Sequence, residues 1–566
     1  SIRGTQTPEF KIENIATAIH CPAYFDKTST VFEVKAGDIV TPLRPVAVRG
    51  TRTTNPVTVR EYYCQPVVTR PPDDEAKSAA NWNEATIGAG DVRFAFPTEN
   101  GEASVELDYG KAVTARTLEI SPVQRMNHFW SFQPDVTVVA EAEGPDGWRE
   151  ILRRAMPQAT WQDDKPISLS LPETSARRFR VRFLHSHPLV LSFVRLYSGA
   201  RPDNFEAESA KTLRGLMHGV APAVSSAAFV DPARIVRVKP GDVLPAGEWT
   251  VLRVGSVNSG IRNHPAPAEA TGWECDKLSP KGAEVHYAGY IGRLSGEGGP
   301  LSGGRLGGLL MDSWECEAQN WTPGLDRLFA ERYGYALDRW WPVLAGLVVE
   351  SREATALFCR DWREFLGDLV ADRFYGRMAE LAHAHGQVIT YETCGGDVFP
   401  SDPMRHWKHA DVPMCEFWRP RTRTGGVGSP DYKSIRPCVS AARIYGKRRV
   451  AAEALTKAGP DWSVEHPRFF KADLDHYFAL GVTHMVFGNF THNPHDAEFP
   501  PPGPTYMPEI AIPMMRKHTW WSGSARAFTD YLTRTQYLLE QGRNVSDVLL
   551  YLGDAVDHKP PHHLPF

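Results

Sequence analysis

Five carboxylates in this sequence stand at the ends of short apolar runs. Asp312 and Glu315 follow residues 306–311, Glu392 follows 388–391, Glu416 follows 411–414 across Cys415, and Glu453 closes 448–452. One acid after one strand is usually a solvated loop charge, because Asp and Glu are mostly exposed. Four of six such runs ending in acids describe a rim instead. Carboxylates converging on a sugar-sized cleft suit glycoside hydrolysis, in which one acid protonates the leaving oxygen and another activates water or attacks carbon. Rival nucleophile patterns are missing: the chain has no G-x-S-x-G elbow, no H-E-x-x-H and no G-x-x-x-x-G-K-[ST]. The glycine-rich 296–304 follows no strand in the way a phosphate loop requires and reads as a flexible connection.

Other side chains could complete such a site, each with a plainer reading beside it. Asn263 and His264 could bond vicinal hydroxyls, although Asn-His-Pro is equally a turn. Asp276 and Glu274 are polar rim candidates from the same loop. Trp321 and Trp418 offer flat apolar faces to a deoxy-sugar or simply pack in a core, and His492 either meets substrate or is a satisfied structural histidine. A hard cation needs oxygen ligands, which makes Glu392 and Glu416 candidate metal ligands.

The elements that must carry these residues fall into two styles. Up to about residue 250 the chain is β-rich, with short alternating runs at 105–109, 117–120, 136–139, 167–171, 179–183 and 189–193 separated by Gly, Pro and Asp. That spacing predicts a β-sandwich, and its order is similar to discoidin-like carbohydrate-binding modules. From 250 onward strands at 249–254, 306–311, 388–391, 411–414, 448–452 and 482–487 alternate with helices, the longest over 353–385 and stopping at Gly386, others near 467–480 and 525–541. The predicted fold class is therefore α/β plus β: a (β/α)₈-type barrel, incomplete at six strands, interrupted by a β-sandwich. The expected divisions are 1–75 as part of the barrel domain, 76–200 as the inserted sandwich, 201–546 as the barrel, and 547–566, with its run at 548–552, as the start of a following β-domain.

Composition narrows the partners. The 566 residues carry 63 Lys and Arg against 67 Asp and Glu, a net charge of −4, so no strongly basic surface awaits a nucleic acid. No apolar run reaches the roughly 18 residues needed to span a bilayer. Eight cysteines without a C-x-x-C pair argue against a zinc ribbon and predict mostly free thiols. Oligomeric state leaves no mark on the sequence.

Several segments resemble the α-L-rhamnosidases of glycoside hydrolase family 106: NHPAPAEATGWECDKLS from Asn263, LLMDSWECEAQNWTPG from Leu309, YETCGG from Tyr391, ADVPMCEFW from Ala410, AAEALT from Ala451 and FTHNP from Phe490. The resemblance, over about 75–556, implies an inverting glycosidase acting on terminal α-L-rhamnose, with a calcium-associated active site in an interrupted barrel. It implies Glu315 as general acid, Glu453 as general base and Asp312 assisting from the same loop as Glu315. It also implies barrel strands upstream of Ser1, β-domains downstream of Phe566, and a periplasmic or secreted location. Thr393, Cys394 and Cys316 depart from the small residues expected there, a difference that bears on substrate choice. An acid must hold its proton, which burial of Glu315 beside Trp314 would favour, whereas the base needs the opposite condition. The competing class is a non-catalytic carbohydrate-binding protein on a barrel scaffold. A polysaccharide lyase is less supported, because no Arg or Lys cluster stands at the strand ends.

Overall fold

The computed structural model describes residues 101–121, 136–156, 165–185, 194–214, 224–238, 250–393, 402–418, 432–456, 467–487 and 521–549, with single gaps, and the backbone of short strands elsewhere from residue 29. The chain divides into two compact units, residues 1–274 with 316–366 and residues 275–315 with 367–566. This division differs from the one expected from sequence, which cut at 75 and 200.

The first unit is built on an antiparallel sheet of β1 (Gly101–Ile120), β2 (Val136–Gly144), β3 (Gly147–Ala155), β4 (Ile167–His185) and β5 (Val194–Tyr197), in the order β3-β2-β4-β1-β5. Strand Val67–Thr69 adds to it by pairing with β1. The sequence suggested two short strands within each of β1 and β4, divided at turn-forming residues. Those residues instead occupy irregularities between two long strands, with register shifts between Ser170 and Thr174 and between Ala176 and Arg178. Gly110 takes φ 69° opposite this region and donates its N–H to Asp108 Oδ1 at 2.8 Å. Bulges of this kind absorb turn residues while the ladder continues. Alternate side chains, among them Leu107, Leu118, Val138, Leu169, Phe183 and Leu196, form the buried core. A second small sheet joins Phe94–Phe96, Leu189–Leu191 and Gln124–Arg125.

The second unit holds a parallel sheet of β6 (Gly308–Met311), β7 (Val388–Tyr391), β8 (Val412–Trp418), β9 (Ala451–Thr456) and β10 (His484–Phe487), hydrogen-bonded strictly in chain order. Of the six expected parallel strands, five are present. The sixth, Thr250–Leu252, pairs antiparallel with Ser29–Phe32, so it and the N-terminal strands stand outside the parallel sheet. An apolar run reports burial, not the direction of its neighbour.

The helices are α1 (Pro280–Gly289), α2 (Arg352–Leu369), α3 (Arg377–Ala384), α4 (Tyr432–Ile444), α5 (Pro467–Leu480) and α6 (Trp521–Leu539). Ser351 caps α2 by accepting from Ala354 N at 3.0 Å, Ser279 caps α1 ahead of Pro280, and Gly386 ends the long helical stretch at φ 68°. Between α2 and α3 the rod widens into a π-helix, Val370–Gly376. Of the strand expected over 548–552, the described residues Val548, Leu549 and Tyr551 are exposed and irregular, and the others lie outside the described residues. Cys275, Cys316, Cys359, Cys415 and Cys438 are free thiols, and no described helix is long and apolar enough to cross a membrane.

Candidate active site

Parallel pairing in sequential order sets the C-terminal ends of β6 to β10 along one edge, and the acids follow from that register. Met311 pairs with Tyr391 and Glu416 with Glu453, so the loops and last strand residues beyond them share a rim. One carboxylate oxygen from each of Asp312, Glu392 and Glu453 lies within 4.8 Å of the others.

Glu392 is the deepest of the three, 2% exposed, and neither of its oxygens has a hydrogen-bond partner. Burial first, then the like charges of Glu416, Glu453 and Asp312, drive its pKa far above the ordinary carboxylate range. Glu453 is also shifted upward, chiefly by burial and further by Asp312 and Glu315, while a hydrogen bond from Thr456 opposes the shift. Glu416 lies outside the triad at the cross-strand position beside Glu453. Of the pair expected to ligate a cation, Glu392 belongs to this set of three and Glu416 does not.

Asp312 and Glu315 are exposed, on the loop after β6. Ser313 bridges them, donating N–H to Asp312 Oδ1 at 2.8 Å and its hydroxyl to Glu315 Oε1 at 3.1 Å. The burial expected of Glu315 falls on its neighbour: Trp314 is 3% exposed while Glu315 faces outward. Trp314 is anchored three ways, by its N–H to Thr393 O at 2.5 Å, by an edge contact with Phe374 of the π-helix at 6.3 Å, and by the Lys277 ammonium 5.2 Å above its ring. The same π-helix stacks Tyr375 on Tyr391 at 4.5 Å, and Tyr391 donates its hydroxyl to His406 O at 2.5 Å. A π-turn re-aims side chains within a helix. Here two consecutive aromatic residues brace the positions just before Glu315 and just before Glu392.

At the end of β9 the pleat is broken. Glu453 faces Glu416 and Ala454 faces Phe417, but Trp418 faces Thr456, leaving Leu455 unpaired. Leu455 takes φ 67°, a conformation costing a non-glycine residue about 1–2 kcal/mol. The Thr456 hydroxyl then donates to Glu453 Oε1 at 2.5 Å.

Of the remaining candidates, Asn263, Trp321 and Asp276 have described partners. Asn263 donates its amide to Ala270 O at 3.0 Å and accepts from Gly272 N at 2.6 Å, which is the turn reading of that loop. Trp321 lies against Trp341 at 5.5 Å in the first unit, as a packing tryptophan does. Asp276 accepts from Leu278 N at 3.0 Å ahead of α1. His264, His492, Cys394 and the Trp418 side chain lie outside the described residues. Sequence reasoning passed over Lys277, Phe374, Tyr375 and Thr456. For Thr456 no signal existed, since a regular strand sends residues three apart to opposite faces.

A family model described as alpha-L-rhamnosidase matches residues 20–560. The chain belongs to glycoside hydrolase family 106. A rhamnosidase structure from Novosphingobium sp. PP1Y superposes with a TM-score of 0.67 at 25% identity, covering 96% of this chain and 50% of that one. A curated protein of Formosa agariphila, provisionally named a beta-glucuronidase, is 37% identical over 312 residues, 55% of this chain and 25% of that protein. The chain therefore spans half or less of the length of these family 106 and curated relatives.

Proposed function

We propose that this chain carries the catalytic centre of an inverting glycoside hydrolase that releases terminal α-L-rhamnose. The observation that carries the reading is the pair of acids on separate strands of one parallel sheet, Glu315 beyond β6 and Glu453 on β9, in a chain of the rhamnosidase family. Glu315 is exposed, able to reach a leaving oxygen arriving from solvent. Glu453 is recessed, and one of its oxygens is already engaged by Thr456, which leaves the other for a water. Its raised pKa reverses the condition that a base requires. A cation among Asp312, Glu392 and Glu453 would restore it by favouring the charged forms.

The donor set supports a calcium ion of the kind the family resemblance implies: oxygen ligands only, with both oxygens of a buried glutamate lacking any protein partner. Asp312 and Glu392 would hold it, with Glu453 beside them keeping its free oxygen for the water. When bound, such an ion neutralises the repulsion within the triad and accepts sugar hydroxyls as further ligands. The five parallel strands are read as consecutive staves of a (β/α)₈ barrel, and the antiparallel sheets as the layers of an inserted sandwich.

The β-glucuronidase name of the Formosa relative raises a uronic acid as substrate. A rim bearing Asp312, Glu315, Glu392, Glu416 and Glu453 repels a second carboxylate, which favours a neutral deoxy-sugar. Hydrolysis of 4-nitrophenyl α-L-rhamnoside should far exceed that of the β-glucuronide, and freshly released rhamnose should have the inverted anomeric configuration by NMR. Inversion requires the two carboxyl groups about 6.5 to 9.5 Å apart. Glu315→Gln should slow an unactivated rhamnoside much more than the nitrophenyl one, whose leaving group departs with little protonation. Equal losses on both substrates would remove Glu315 from the acid role, and full activity in both Glu315→Gln and Glu453→Gln would leave a binding protein.

A further inference from the structure

The bulge at the end of β9 has no purpose in the sheet itself. It interrupts the pairing with β8 and holds a buried leucine in a backbone conformation that glycine adopts freely. Its effect is on one side chain. Without the bulge Ala451, Glu453 and Leu455 would share a face, and Ala452, Ala454 and Thr456 the other. The extra residue returns Thr456 to the face of Glu453, where its hydroxyl meets Oε1 at 2.5 Å. Thr456 is buried, at 1% exposure, and Glu453 is half-buried, so the hydroxyl side of the bond is shielded from competing water.

We propose that Thr456 is a positioning residue for the general base: its hydroxyl fixes the Glu453 carboxylate in one rotamer, with Oε1 occupied and Oε2 presented to the attacking water. The proposal rests on the reading of Glu453 as base. A carboxylate tethered at one oxygen loses the freedom to swing between its neighbours Asp312 and Glu392, with which it is clustered. Because attack on the anomeric carbon needs the water held in line, a misplacement of about 1 Å costs on the order of 10²-fold in rate. The hydroxyl is buried and engaged with Oε1, so substrate binding should be indifferent to it.

The test compares Thr456→Val and Thr456→Ala with Thr456→Ser on 4-nitrophenyl α-L-rhamnoside, in the full chain with calcium present. Valine keeps the shape and loses the hydroxyl, alanine loses it without adding bulk, and serine retains it. The expected result is a kcat about 10- to 100-fold lower for Val and Ala with KM within about twofold, and recovery of most of the rate in Ser. In a Glu453→Gln background, Thr456→Val should cause no further loss, because the two residues act as one unit. If Glu453→Gln is inactive while Val and Ala turn over as wild type, or if Ser is as impaired as Val, the positioning role is overturned and the base assignment stands. If Glu453→Gln itself keeps its rate, the base reading falls and this inference falls with it.

Discussion

The core of the first unit and the acidic rim of the second bury charge in opposite ways. In the first, Glu119 is fully buried but meets Arg201 at 2.6 Å, and Arg116 donates to Ser198 O at 2.7 Å. Glu206 accepts from Ser168 N and Oγ at 3.1 and 2.8 Å. Arg214 donates to Lys165 O at 2.6 Å and Pro166 O at 2.9 Å. Nearly every buried ion has an opposite charge or a backbone partner. In the second unit Glu392 is as deeply buried, yet its neighbours are three more carboxylates and its oxygens lack hydrogen bonds. The first pattern stabilises a fold. The second destabilises it unless something else binds there, and arrangements of that kind mark sites kept for chemistry rather than for folding.

Mutations should separate the two patterns. The largest effect is expected at Glu453→Gln, which should lower the rate constant by about 10²–10⁴-fold without lowering the thermal midpoint, since it removes one member of a repelling cluster. A stability loss comparable to that of a paired residue would break the contrast. Next is Arg201→Met, which leaves the buried Glu119 only the longer contact with Arg195 at 3.6 Å and should cost about 3 kcal/mol in denaturant unfolding. Replacing both, as Arg201→Met with Glu119→Leu, should recover most of the loss. Calcium at about one hundred times its dissociation constant should add roughly 2.7 kcal/mol of stability, and Glu392→Gln should abolish that gain. Calcium stabilising the Glu392→Gln variant as much as wild type would place the ion elsewhere.

The final test concerns the exception in the first unit. Lys211 is buried over the Phe205 ring at 4.5 Å with no hydrogen-bond partner, and burial pulls its pKa from 10.5 down to about 7. Below pH 7 both folded and unfolded chains hold the proton and the penalty for the buried ammonium is complete. Between about 7 and 10.5 the unfolded state binds more protons, so stability rises with pH. The stability advantage of Lys211→Met over wild type should therefore shrink by about 1.4 kcal/mol per pH unit across that window. A constant difference would mean that the amine is hydrated in the native state.

Much of this contrast was legible in the sequence. The acids after β6, β7, β8 and β9 could be read because apolar strands of α/β units end where function sits. Helices α2 and α5 followed from periodicity and from Gly386 and Pro467. Pairings over long separations were not legible: that Thr250–Leu252 joins Ser29–Phe32, or that Thr456 turns toward Glu453, depends on register and on one residue's φ, which residue types do not encode. The burial of Trp314 in place of Glu315 was hidden for the same reason. Alternation along a loop has no fixed period.

The sequential order of β6 to β10 also fixes when the site comes into being. A sheet whose neighbours are neighbours in sequence can be laid down one strand at a time as the chain leaves the ribosome, each strand after β7 closing a much shorter connection than that between β6 and β7. Asp312 and Glu392 are in place early, apart from the third acid, and the like-charge crowding of the triad is completed only when β9 docks. Thr456 is carried by that same strand, so the group that steadies Glu453 arrives with it. Until then the nascent unit folds as an ordinary α/β layer, and the most unfavourable step of its assembly is postponed to the moment when the first three strands are already there to bear it.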